Sequence, residues 1–418
     1  MSAANAEEVK PRQRSPLLPI FLIVMVDVLG LTIILPLLPF YAERLGATPA
    51  VVGLLVSTYA ACQLVAGPVL GQMSDRVGRR PLLLVSQVGT FIGFLILAWA
   101  GFEGLLWMVF LSRVIDGLTA GNLSLAQAYI SDVTRPEERA KSFGVIGVAF
   151  GVGFLIGPAI SGFLSTFGYE YPVFAAAALS ATSILATYFL LPSAPVLPDS
   201  DTREGPPPPA GRRLRALDWG NYATYFKRPV LAELLWQFFI FTFTFAIFMS
   251  GFALFAERRY TWNGHPFGPK EVGYIFAYVG FLGIILQGGL IGRLVKRFGE
   301  ESLVAAGFVT STIGFALIGF TYHLSGLLVA SSISSFGTGV LRPALTSLIT
   351  QRAGREEQGV VLGLTQSLMS ISQIIAPVIA GFLIGRALLT TWAVVGAAVS
   401  ALGIVIGSFK PRLRASES

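Results

Sequence analysis

Cysteine is all but missing from this chain: one residue, Cys62, in 418. That excludes an intrachain disulfide and any metal site built on cysteine ligands. Histidine is nearly as scarce, with only His265 and His323. Both fall in segments that read as loops, so no metal centre is expected. Charge is the third shortage. Only 13% of the residues are Asp, Glu, Lys or Arg, about half the roughly 25% usual in a soluble chain. A mean hydropathy of +0.70 agrees. No nucleophile–base pair is legible, so the chain is not expected to be an enzyme.

What the chain has instead is long apolar runs. They fall at about 17–42, 50–73, 81–100, 105–130, 142–166 and 171–192, and again at about 229–256, 271–295, 302–321, 325–350, 358–385 and 389–408. Each is about long enough to cross a bilayer core. Only helices satisfy their own backbone over such lengths in lipid. The expected fold is therefore all-α and integral to a membrane: twelve transmembrane helices in two six-helix bundles, 17–192 and 229–408. A polar tail, 1–16, precedes them and another, 409–418, follows. The segment 193–228, with its Pro run and charges, reads as a solvated linker. The first apolar run is too long for a signal peptide's core and lacks a small-residue cleavage site, so it is expected to stay as span 1.

Basic residues are distributed unevenly. With twelve spans, both tails and the linker share one side of the membrane. Of the 30 Lys and Arg, 23 lie on that side; Arg44, Arg258, Arg259, Lys270 and Arg386 lie on the other; Arg113 and Arg342 lie inside spans. Cytoplasmic loops carry the excess of positive charge, so the tails and linker are expected in the cytoplasm and the protein in an inner (plasma) membrane. The same asymmetry accounts for the net charge of +7 without a nucleic-acid partner.

The halves echo each other. Gly67, Gly71, Arg76 and Gly78 align with Gly288, Gly292, Arg297 and Gly299, and further on Gly144, Pro158 and Gly162 align with Gly363, Pro377 and Gly381. Two parallel six-helix repeats are a signature of transporters that bind at the repeat interface. The first echo contains a charged loop, Gly71 to Arg80, that must reverse the chain within one or two residues; Gly78 permits the positive φ this needs. Asp75 there is replaced by Lys296 in the second half.

Ionisable residues at membrane depth are costly and are functional candidates by default. Asp27 in span 1, Arg113 and Asp116 in span 4, Glu233 in span 7 and Arg342 in span 10 qualify. Each sits in the first helix of a three-helix unit, which would put all four helices around one central cavity. Arg113 and Asp116, three apart, share a face and can form either a structural ion pair or part of a relay. Asp27 has no opposite charge near it in sequence and is the leading candidate for a carboxyl that takes up and releases a proton. Glu233 lies close to the start of span 7 and reads either as a snorkelling end residue or as a cavity acid. Arg342 precedes Pro343 and could pair with freed backbone carbonyls or with an anionic group of a substrate. The glycine run of span 5 (Gly147, Gly151, Gly153, Gly157) followed by Pro158 reads as helix packing and a hinge. The aromatic run at 238–248 reads as lipid-facing and packing surface, part of which could line an apolar binding pocket.

These motifs resemble the drug/proton antiporter group of the major facilitator superfamily. Gly71, Asp75, Arg76, Gly78, Arg79 and Arg80 match its pattern for the loop after span 2, and Arg113 and Gly117 its span 4 pattern. Gly153, Gly157, Pro158 and Gly162 match its span 5 signature, with Ser161 in place of a second Gly. Asp27, Gly30, Pro36 and Pro39 match span 1 of tetracycline/proton antiporters and their eukaryotic tetracycline-transporter-like relatives. The chain departs from the bacterial members in having no acid in spans 3 or 9; Gly93 stands where their span 3 acid does. Asp116 stands where the pattern more often has Gln. The resemblance implies an antiporter that exports an amphipathic small molecule in exchange for protons, without a cofactor, powered by the proton gradient and acting as a monomer in the lipid bilayer. It also implies that the Asp75 loop is a cytoplasmic gate, with Asp75 near the start of span 11 around Gln358. A facilitator or proton symporter of a small organic anion or lipid-like solute is the alternative; a non-transporting membrane sensor would call for a soluble domain that the sequence does not display.

Overall fold

The computed structural model describes residues 17–133, 139–191, 224–353 and 357–408. The first half consists of α1 (Leu17–Arg44), α2 (Pro49–Val77), α3 (Arg79–Glu103), α4 (Leu106–Leu118), α5 (Asn122–Val133), α6 (Arg139–Leu164) and α7 (Glu170–Leu190). The second consists of α8 (Pro229–Arg259), α9 (Pro269–Ile285), a π-helical turn at Leu286–Leu290 that runs into α10 (Ile291–Phe298), α11 (Glu300–Phe320), α12 (Leu324–Arg352), α13 (Gln358–Gly385) and α14 (Leu389–Ser408). A two-stranded hairpin, Thr261–Trp262 with His265–Pro266, turns at Asn263 and Gly264 and joins α8 to α9. His265 thus lies in a strand rather than a loop.

Eleven helices among the described residues are long and apolar enough to cross a membrane. The expected fourth span is the exception, being split into α4 and α5 by a break at Thr119–Gly121. Nothing in its hydropathy marks that break, because Thr, Ala and Gly suit an apolar run. Ser86 of α3 makes the break tolerable: its hydroxyl donates to the Thr119 carbonyl and accepts from the Gly121 amide, 2.9 Å away. Backbone groups freed inside a bilayer need such partners.

The charged loop is shorter than expected. α2 runs through Asp75 and Arg76 to Val77, and α3 begins at Arg79, so Gly78 alone reverses the chain, with φ 104°. Gly299 does the same between α10 and α11, with φ 76°. Both conformations suit glycine and strain other residues, which explains why the two glycines are partners in the sequence echo.

Helix ends fall into two sets: a tail end, which carries Leu17, Gly78, Gly299 and Ser408, and the opposite far end. The halves meet at the far end. There one apolar core contains Phe40 and Val52 of the first half together with Phe252, Phe255, Ala376 and Trp392 of the second. Near the tail end, each half has a core of its own. Two helix pairs make the seam, α2 with α13 and α6 with α9. Each is closed by glycine against carbonyl. A Cβ at Gly53 would run into the Pro377 carbonyl and one at Gly381 into that of Pro49; Gly273 and Gly162 meet the carbonyls of Pro158 and Lys270 in the same way. Toward the tail end the same helices part: at Gly67 and Gly71 of α2, Gly147 of α6, Gly292 of α10 and Gly363 of α13, a Cβ would meet nothing within 4 Å. A cleft therefore opens between the halves at the tail end and is sealed at the far end.

The aromatic run of α8 is mostly buried; Phe238, Phe241 and Phe248 belong to the cores. This bears out the expected packing surface and corrects the expectation that the run also faces lipid. α8 lies against α12, α13 and α14, which leaves most of that face covered.

Candidate functional site

Three of the five intramembrane charges come together inside the first half. Asp27 of α1 faces the Ser183 hydroxyl of α7 and the Gln87 side chain of α3, both of which favour its carboxylate. Gln87 in turn donates from Nε2 to Ser183 Oγ at 2.8 Å. Its Oε1 is buried and has no partner among the described residues. The seat suits the carboxyl in both forms. As a carboxylate, Asp27 accepts from its neighbours; when protonated, it can donate to the Ser183 hydroxyl oxygen.

The Arg113–Asp116 pair is more deeply buried, at 4% and 5% exposure. Arg113 Nη1 lies 3.3 Å from Asp116 Oδ2, Arg113 Nε donates to Ser112 Oγ at 3.2 Å, and Asp116 also hydrogen-bonds Thr90 of α3. Arg113 Nη2 has no partner among the described residues. Asp116 is near enough to Asp27 for the two carboxylates to repel each other. Gly93 is what makes room for it: a Cβ at 93 would lie 3.2 Å from the Asp116 Cβ. The glycine of span 3 and the acid of span 4 thus share one space.

The other two charges belong to the second half. Glu233 is one turn into α8 at the tail end and is partly buried, with a polar interaction of its own. Arg342 of α12 is exposed and meets Met369 Sδ of α13 at 3.7 Å. Among the described residues it makes no ion pair and donates to no carbonyl.

Arg79 and Arg80 fasten the loop to the first half. Arg79 holds Asp75 Oδ1 at 2.7 Å and Asp132 Oδ2, at the end of α5, at 2.9 Å. Arg80 donates to the carbonyls of Thr187 and Tyr188 at the end of α7 and lies over the Tyr188 ring. Gln358, the expected neighbour of Asp75 when the tail end is closed, donates to the Thr350 carbonyl at 3.3 Å. Gly153 and Gly157 bring α6 against Val28 and Thr32 of α1, and the Thr32 hydroxyl donates to the Gly153 carbonyl at 2.9 Å.

Sequence reasoning overlooked a second set of charges, at the far end. Arg258 spans the seam to Glu43 at 2.6 Å and also holds its neighbour Glu257 at 2.8 Å. Gln87 and Ser183 were overlooked too. The available signals were a glutamine inside an apolar run and the rarity of charge on the side opposite the tails.

The family model of the Major Facilitator Superfamily matches residues 20–300 and 267–417. The tetracycline resistance protein, class B, of Escherichia coli is 31% identical, covering 85% of each chain. Multidrug resistance protein 2 of Bacillus subtilis is 26% identical, covering 86% of each. Among solved structures, the nucleoside transporter NupG superposes with a TM-score of 0.71 at 17% identity, covering 94% of this chain and 98% of its own.

Proposed function

This chain belongs to the Major Facilitator Superfamily, and we propose that it is a proton-coupled antiporter exporting an amphipathic organic molecule by alternating access. The similarity to tetracycline and multidrug resistance proteins supports export of a drug-like compound. The observation that carries the coupling is the seat of Asp27, a partly exposed carboxyl between the Ser183 hydroxyl and the Gln87 side chain.

Alternating access rests on the glycine seams. In the present state the far-end glycines are filled by carbonyls across the seam, and those at the tail end are empty. Closing the tail end would bring α2 to α13 and α6 to α9 and α10 there, while the far-end contacts part. The positive-inside rule places the tail end in the cytoplasm, so this state faces inward, in a plasma membrane, as a monomer. A substrate bound from the cytoplasm displaces the proton of Asp27. The loaded carrier turns outward, and a proton from outside returns with the empty one. Coupling requires that substrate and proton favour different states. No cofactor takes part; the proton gradient supplies the energy.

Reconstituted protein in liposomes with a pH gradient tests this reading. Solute-dependent proton movement is expected in the wild type, falling at least tenfold in Asp27→Asn. Undiminished coupling in that variant would remove Asp27 from the mechanism.

A further inference from the structure

We propose that Arg342 is an anion-binding subsite, so that the exported molecule carries an acidic group at one end and a basic group at the other. The inference rests on the antiport reading and names the substrate class of the same cavity.

The first ground is the position of Arg342. Its helix neighbours Val340 and Leu341 are fully buried against Gly307 of α11, which fixes the point from which the side chain leaves. Arg342 itself is exposed, and its contact is with Met369 of α13, whose faces show whether that exposure is to a cavity or to lipid. On α13, Leu362, Gln366, Met369 and Gln373 recur on one face and are exposed or half-buried. The exposed residues of its far-end half, Ile375, Val378 and Phe382, are on the opposite face and are all apolar. That second face is the one that suits lipid, so the Met369 face that touches Arg342 lines the cleft.

The second ground is the lack of a counter-charge. Intramembrane charges are paired in most proteins. The first half follows that rule, with Arg113 held by Asp116. Arg342 breaks it, since among the described residues its one polar contact is a thioether, which is a weak acceptor. A planar guanidinium is suited to gripping a carboxylate or a similar oxyanion through two parallel hydrogen bonds. The vacancy is filled by the ligand.

The chemistry of exchange adds the second group. An anion alone would bind best with Asp27 protonated, so substrate and proton would favour the same state, which opposes antiport. A basic group directed at Asp27 restores competition with the proton, while the acidic group holds to Arg342 across the cleft. Such a molecule touches both halves, and both must be engaged for one state to be favoured over another.

Two dyes separate the possibilities. Rhodamine 19 carries a free carboxylate on a cationic ring system, and rhodamine 6G is its ethyl ester. In proteoliposomes with a pH gradient, the wild type is expected to take the free acid with a KM at least tenfold below that of the ester. Arg342→Gln should bring the ratio of the two KM values close to one, and Arg342→Lys should retain part of the preference. A wild type that exchanges the ester for protons without preferring the acid overturns the subsite and leaves antiport standing, as does an Arg342→Gln variant with an unchanged ratio. Exchange of neither dye by the wild type overturns the subsite together with the antiport reading on which it rests.

Discussion

The Arg113–Asp116 pair sets the sharpest expectation for a single residue. Both groups are buried and 3.3 Å apart. A buried pair contributes little net stability, because desolvation offsets the attraction. Removing one partner leaves an uncompensated charge and costs about 3–5 kcal/mol. Arg113→Ala is therefore expected to lower stability by about that amount, measured by chemical unfolding in detergent. The double variant Arg113→Met with Asp116→Leu should lose less than Arg113→Ala alone. A double variant as unstable as the single would mean that the pair itself, and not the orphaned acid, carries the stability. Gly93 belongs to the same balance. Gly93→Leu would push on Asp116, whose Cβ lies 3.2 Å from the Cβ it would gain. A loss of about 1–3 kcal/mol is expected from such overpacking, read in the same unfolding measurement.

At the scale of the helix, the glycines of α13 make opposite predictions at its two ends. Gly381 is filled by the Pro49 carbonyl, whereas Gly363 faces open space. Gly381→Leu should wedge the far-end seam apart and favour the outward-facing state. Gly363→Leu should keep the tail end from closing and favour the present one. A misfit of about 1–3 kcal/mol moves such an equilibrium by roughly five- to 150-fold. A cysteine replacing Gln366 on the cleft wall, in a Cys62→Ser background, reports the state through its maleimide labelling rate. Slower labelling is expected in Gly381→Leu and labelling at least as fast as wild type in Gly363→Leu; the reverse order would refute the seam. These elements were largely legible in the sequence. Apolar run length marks a helix in lipid, so eleven of the twelve expected spans correspond to single apolar stretches, and the Gly78–Gly299 echo marks two equivalent turns. The break in span 4 was not legible, because its repair lies in Ser86 on another helix. The contrast between the buried Arg113–Asp116 pair and the exposed Arg342 was not legible either: a helix's position in the sequence identifies it, whereas the direction of a side chain depends on which neighbours cover the other faces. Asp27 illustrates the point, since its partners Gln87 and Ser183 lie 60 and 156 residues further along the chain.

At the scale of the whole molecule, two charge clusters oppose each other across the membrane. Arg258 ties the halves together at the far end through Glu43 and keeps Glu43 and Glu257 from facing each other as two acids. It therefore favours the present state. Asp75, held by Arg79 within its own half, is expected to serve the other state, in which the tail end is closed and the start of α13 comes near enough for its helix dipole to attract the carboxylate. The Arg258–Glu43 pair is partly exposed, with side-chain accessibilities of 30% and 17%, so its attraction amounts to about 1 kcal/mol or less. Arg258→Ala also leaves two acids at the seam and should act more strongly than Glu43→Gln, which removes one of them. With the Gln366→Cys reporter, Arg258→Ala is expected to slow labelling roughly two- to fivefold and Asp75→Asn to speed it. Because the clusters are at opposite ends of the molecule, their effects should add, and the double variant should label at close to the wild-type rate. For exchange itself, Asp75→Asn should lower turnover with little change in substrate affinity. Two variants that shift labelling in the same direction, or an Asp75→Asn protein with normal turnover and weakened binding, would mean that the loop is not a gate and that the two ends of the molecule are not in competition.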